Sequence, residues 1–277
     1  MAELLFDFIS REPEQLPQII GRGVLPLKGK MILGGDPKAN KSYIALNIGL
    51  ALAQGQHIFG ALYKSGVPVL PVTRCHSVLY VEQEIGERGL RERLKPMIAV
   101  PGDIQFYIKT RDMGMRMDTP QGRTAIQAEI EQCKPEVVIL DPLAKFHLSD
   151  ENSAQQMGMV MRVGDHWVEN YNIAIIYIHH TAKENFQHVR RGGQRLRGSS
   201  AIFADVDTFV EISRKSSSHH KEPVVELGFE LRQAEPLEPI YIKRLQSGLC
   251  EYLGEDYHWG RPSSPPKTED TIPYGNL

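Results

Sequence analysis

Short unbroken apolar runs recur along the chain, and most are followed by stretches whose apolar residues fall at helical spacing. Residues 31–33, 77–81, 105–108, 137–140 and 173–178 read as strands, with helices over 42–52, about 86–95, 124–133 and about 153–171 between them. Pro96 stops the second helix, because proline lacks the donor a helix interior needs. Continuous rather than alternating apolar strands predict a mainly parallel sheet covered by helices on both faces. Strands at 207–213, 224–231 and 240–243 follow one another with little helix, which predicts an antiparallel C-terminal extension. Residues 1–30 carry Pro13, Pro17 and Pro26 with few helical signals and predict an N-terminal segment that packs across the core. The glycine- and proline-rich stretch 55–75 reads as a connection, and the proline-rich stretch 261–277 as a disordered tail.

The chemistry concentrates at the ends of these strands, where ligands gather in open α/β sheets. Gly35-Asp36-Pro37-Lys38-Ala39-Asn40-Lys41-Ser42 lies between the first strand and the first helix. It is one residue short of the phosphate-binding pattern in which backbone N–H groups curl around phosphates, a lysine meets the outer phosphates and a hydroxyl meets Mg²⁺. Asn40 stands where that pattern has its second glycine. Asparagine is the best non-glycine choice at a position that needs left-handed backbone angles. The candidate nucleotide-binding residues are therefore Gly35 to Ser42 together with Tyr43, and the bland alternative is an ordinary strand-to-helix turn.

Asp141 ends an apolar strand and supplies the second acidic group that a Mg²⁺ ion on Ser42 needs. Glu82 and Glu84 follow the strand 77–81, and either can serve as the general base that deprotonates an attacking water. The competing reading is that they cap the helix starting near Gly86. His180 ends the strand 173–178 and can hydrogen-bond a terminal phosphate; a metal site with His179 and His188 lacks a completing ligand set. Lys183, Arg190, Arg191, Arg195 and Arg197 surround Gly192-Gly193 against the single acid Glu184. That basic loop can neutralise nucleic-acid phosphates, or reach a neighbouring subunit's nucleotide as an arginine finger.

Bulk properties narrow the class. At 277 residues the chain has room for one large α/β domain, and its 41% hydrophobic and 24% charged content is that of an ordinary globular protein. A formal charge of -2 confines any nucleic-acid surface to local patches. No apolar run reaches the roughly 20 residues that span a bilayer, so no membrane partner is expected and the chain reads as cytoplasmic. Three scattered cysteines, Cys75, Cys133 and Cys250, suggest neither a disulfide framework nor a zinc site.

Five motifs in order resemble the RecA/DnaB-like P-loop ring ATPases, and within them the plasmid RepA-type hexameric replicative helicases. They are Gly35-Asp36-Pro37 with Lys41-Ser42, Val78-Leu79-Tyr80-Val81-Glu82-Gln83-Glu84, Ile139-Leu140-Asp141-Pro142-Leu143, His179-His180-Thr181-Ala182-Lys183 and Arg197-Gly198-Ser199-Ser200-Ala201. The resemblance spans about 16–245 and implies a RecA-like ATPase domain over 31–260, a homo-oligomeric ring, ATP and Mg²⁺ as cofactors, and single-stranded DNA with other replication proteins as partners. It makes Glu84 the catalytic glutamate, Asp141 the Mg²⁺-side acid, His180 the sensor of the γ-phosphate and Arg197 the arginine finger. It also places Arg190 and Arg191, with Arg195 in the same basic loop, against DNA. A non-translocating DNA-binding ATPase of recombination or regulation, and a small-molecule P-loop kinase, are the competing readings.

Overall fold

The computed structural model describes residues 3–11, 17–98, 102, 104–112, 114–181, 200–215 and 224–257. A nine-stranded sheet forms its centre. Six of those strands run parallel: β3 (Lys30–Gly35), β4 (Val78–Glu82), β5 (Phe106–Thr110), β6 (Val137–Asp141), β7 (Ala174–His180) and β8 (Thr208–Lys215). Strands β9 (Val224–Leu231), β10 (Ile240–Arg244) and β11 (Cys250–Tyr252) extend the sheet antiparallel from β8. The spatial order is β11-β10-β9-β8-β3-β7-β6-β4-β5, which leaves β5 and β11 as edges. The mainly parallel sheet with an antiparallel extension is the architecture expected from the apolar runs.

Alternation along each central strand feeds two separate cores. Met31, Leu33, Val137, Ile139, Ile176 and Ile178 point to one face, where α2 (Lys41–Gln54) and α3 (Gly86–Leu94) pack. Ile32, Val138, Leu140, Ile175 and Tyr177 point to the other, covered by α4 (Pro120–Cys133) and α5 (Ala154–Tyr171). Helix α2 is buried almost all round, as an apolar helix must be. Its one deep amide, Asn47, donates to the Gly248 carbonyl at 3.0 Å and accepts from the Cys250 N–H at 2.8 Å. That pair of bonds pins the phosphate-loop helix to the β10–β11 turn.

Three departures from the sequence reading have local causes. Helix α4 begins at Pro120 rather than 124, because Thr119 caps it by accepting from the Gly122 N–H at 3.2 Å and proline fits the first helical turn. Inside the segment expected only to pack across the core before β3, β1 (Gln18–Ile20) and β2 (Leu25–Pro26) form a small antiparallel ribbon that buries Ile19, Ile20, Val24 and Leu25. Upstream of it lies α1 (Leu5–Ser10), where no helix was expected and none of whose residues is buried.

Candidate nucleotide site

Parallel strands emerge together, so their carboxyl ends form one rim. Gly35 of β3 lies level with His180 of β7, and Glu82 of β4 level with Asp141 of β6. Gly35 closes β3 because a side chain there would stand 2.5 Å from the Ile212 carbonyl of β8. Beyond it the chain turns through two left-handed residues, Lys38 at φ 68° and Asn40 at φ 67°, before α2 begins. Asn40 therefore occupies the backbone region that a glycine would ordinarily supply. Its carbonyl accepts the Ile44 N–H at 3.0 Å and starts the helix. If the Asn40 side chain adds nothing of its own, Asn40→Gly leaves the fold intact and ATP affinity equal or higher; a fluorescent-nucleotide titration and a thermal melt check this. A clear loss of binding would show that the asparagine amide itself engages the ligand.

A cavity of about 460 Å³ opens at this rim, lined among others by Lys41, Ser42, Tyr43, Glu84, Asp141 and His180. Lys41 is buried, and its ammonium folds back on the loop, donating to the Gly35 carbonyl at 2.8 Å and the Asp36 carbonyl at 2.9 Å. Its Nζ also lies 3.1 Å from Nδ1 of His180. Burial lowers the Lys41 pKa to about 8, with Asp141, Asp36 and Glu84 pulling it back up. The loop is braced from β7 as well: the Thr181 hydroxyl donates to Asp36 Oδ1 at 2.8 Å, and the Thr181 N–H to the Gly35 carbonyl at 3.1 Å.

Asp141 is buried, accepts the Tyr80 hydroxyl, and is pushed above the ordinary carboxylate range by burial, with Tyr80 and the nearby Ser42 hydroxyl opposing the shift. Its Oδ1 accepts no well-formed hydrogen bond among the described residues. A buried carboxylate oxygen left open beside a serine hydroxyl suits a hard divalent cation such as Mg²⁺, so the residues present fit that ion.

The two glutamates at the end of β4 differ in their surroundings. Glu82 is buried and accepts the backbone N–H groups of Glu84, Ile85 and Gly86 at 2.5–2.7 Å, capping the start of α3. Glu84 is exposed and lines the cavity. The capping contacts thus fall to Glu82, while Glu84 faces the cavity. A further feature had no legible signal in the sequence. The Tyr43 ring carries the Arg93 guanidinium of α3 at 5.0 Å and the Arg244 guanidinium of β10 at 4.4 Å from its centroid. These residues are separated by 50 to 201 positions, and only packing of α2 against both elements joins them. Arg190, Arg191, Arg195 and Arg197 lie outside the described residues.

A parallel sheet whose first strand runs into a phosphate-type loop, with acids at the ends of neighbouring strands, defines a RecA-like P-loop ATPase. The chain belongs to the AAA domain family AAA_25, whose model matches residues 1–185. No curated protein sequence matches it. Among solved structures, a KaiC-like protein from the hyperthermophilic archaeon Pyrococcus horikoshii OT3 superposes with a TM-score of 0.57 at 11% identity, covering 87% of this chain and 98% of that one. A DnaB-like replicative helicase, solved in a study of its interactions with primase, gives a TM-score of 0.61 at 13% identity. That match covers 90% of this chain but only 66% of the helicase. Both similarities concern the fold. No helix among the described residues is long and apolar enough to cross a membrane.

Proposed function

We propose that the chain is an oligomeric, ATP-hydrolysing motor or helicase that acts on single-stranded DNA in replication of a plasmid, phage or mobile element, within the RepA-type group. The observation that carries the reading is the convergence of Lys41, Ser42, Glu84, Asp141 and His180 on one cavity from four different strand ends. The fold shared with a DnaB-like replicative helicase is consistent with a replication motor, as the fold shared with a KaiC-like protein is with other P-loop ATPases.

In this reading the triphosphate lies along residues 35–42, its oxygens taking N–H bonds from the loop and the start of α2. Lys41 exchanges its bonds to the Gly35 and Asp36 carbonyls for the outer phosphates. Ser42 and Asp141 would hold Mg²⁺, which would supply positive charge against that developing on the phosphates. Glu84 orients a water in line with the γ-phosphorus and accepts its proton as the oxygen attacks, while the bond from that phosphorus to the β–γ bridging oxygen breaks and ADP leaves with inorganic phosphate. His180, released from Lys41, bonds the γ-phosphate and passes nucleotide state to the residues that follow β7. The Tyr43 ring, with Arg93 and Arg244 beside it, is placed to take the base by stacking and cation–π contact. Arg197 completes a neighbour's site as the trans-acting finger, and Arg190, Arg191 and Arg195 grip the strand's phosphates.

ATPase assays with and without single-stranded DNA test the proposal. The expected result is DNA-stimulated turnover whose stimulation weakens with added salt, as phosphate contacts require, and turnover that disappears in Lys41→Ala. Turnover that is indifferent both to DNA and to Lys41→Ala would sink it.

A further inference from the structure

The two carboxylate oxygens of Asp141 have different surroundings. Oδ2 accepts the Tyr80 hydroxyl, and Oδ1 accepts no well-formed hydrogen bond among the described residues. Strand register explains the pairing. Glu82 stands level with Asp141 across the β4–β6 ladder, and Tyr80 stands level with Ile139, two residues lower on the same face. The tyrosine ring is long enough to cross that diagonal, so its oxygen arrives at a carboxylate that belongs to the next step of the ladder.

The ring itself is held by packing. Tyr80 is fully buried and stacks on Phe106 of β5, with ring centroids 6.1 Å apart and planes 25° from parallel. Helix α2 closes on the same layer at Gly49, where a side chain would stand 2.8 Å from the Phe106 ring and 3.0 Å from the Ile139 side chain. A phenol in such a layer destabilises the core unless its hydroxyl is bonded. Phenylalanine would serve the packing alone, so the hydroxyl is explained by what it does to Asp141.

We propose that Tyr80 is a positioning residue for the divalent cation: by bonding Oδ2 it fixes the Asp141 carboxylate and leaves Oδ1 to the ion beside Ser42. Partners that orient a metal-binding carboxylate typically change metal affinity by 10–100-fold when they are removed. The phenol touches neither nucleotide nor cation, and acts only through Asp141. The inference rests on the reading that Ser42 and Asp141 hold Mg²⁺ with a nucleotide, and is independent of DNA and of oligomeric state.

The test compares the full-length wild type, Tyr80→Phe, Asp141→Asn and the double variant, each followed by a circular dichroism melt. A fluorescent, non-hydrolysable ATP analogue is titrated first in EDTA and then across a Mg²⁺ series, and electron paramagnetic resonance with Mn²⁺ counts the bound ion directly. Tyr80→Phe removes one oxygen and keeps the ring. It is expected to leave the metal-free affinity unchanged and to raise the Mg²⁺ and Mn²⁺ concentrations at half-saturation by about 10–100-fold. In the Asp141→Asn background the same change is expected to add no further shift, because the carboxylate it positions is gone. A role in packing alone predicts a lower melting temperature with half-saturation unmoved. That result, or an equal shift in both backgrounds, overturns the inference and leaves the nucleotide reading standing. A wild type whose analogue binding is indifferent to Mg²⁺ overturns the cation site itself, and this inference with it.

Discussion

Replacing Glu84 by Gln is expected to lower ATP turnover by about 10²–10⁴-fold, the range that a positioned general base contributes. Nucleotide affinity should stay within a few-fold of the wild type, because the amide keeps the shape and removes only the carboxylate proposed to accept the water's proton. The melting temperature should not move either, since Glu84 is exposed and only its backbone N–H, not its side chain, takes part in the bonds that start α3. Glu82→Gln is the paired control. It weakens three backbone N–H bonds at the head of α3 and should lower stability by about 1–3 kcal/mol, read by thermal or urea unfolding. Single-turnover hydrolysis and a nucleotide titration on both variants distinguish the roles. If Glu82→Gln abolished the chemistry and Glu84→Gln only destabilised, the assignment would be reversed.

The second large effect belongs to Lys41, whose ammonium should become more easily held once phosphates replace the carbonyls it now touches. In the free protein its pKa is lowered to about 8 by burial. A bound triphosphate raises it, so binding takes up a proton at pH values above about 8. Affinity is therefore complete below pH 8 and falls by about tenfold per pH unit above it, until the pKa of the bound form is passed. The sign is opposite to that of a carboxylate, and Lys41→Ala should abolish both the slope and most of the affinity. The same shift bears on stability without ligand. The unfolded lysine holds its proton up to about 10.5, so between pH 8 and 10.5 the unfolded chain binds more protons and this group's contribution rises with pH. Calorimetric titrations in buffers of different ionisation enthalpy count the proton directly. An affinity flat from pH 7 to 9.5 would show that Lys41 does not meet the phosphates.

Much of the fold was legible because its strands are short, apolar and separated by amphipathic helices. The runs at 137–140 and 173–178 match β6 and β7 to within two residues at each end, since two-sided burial leaves little freedom in what a central strand can contain. The elements that escaped notice are those without periodicity: β1, β2 and β11 span 2–3 residues each, too short to show a pattern. Helix α1 was hidden by the prolines around it and by its length. In the site, single residues after strands were readable because a polar side chain directly following an apolar run has few places to go. The arginines that flank Tyr43 were not, because no local signal distinguishes Arg93 from the other arginines of α3.

The amino-acid sequence on its own determined the mainly parallel sheet, its antiparallel extension, and the loop from Gly35 to Ser42, including the left-handed turn that Asn40 accommodates. These are local matters of burial period and backbone angle. Tertiary structure alone decided that Glu84 rather than Glu82 faces the cavity, that Lys41 rests against His180, and that Tyr43 gathers arginines from α3 and β10. It also left an apolar helix uncovered at one place and an apolar groove open at another. Such relations depend on which strand lies beside which, and strand order arises from packing between segments far apart in the chain.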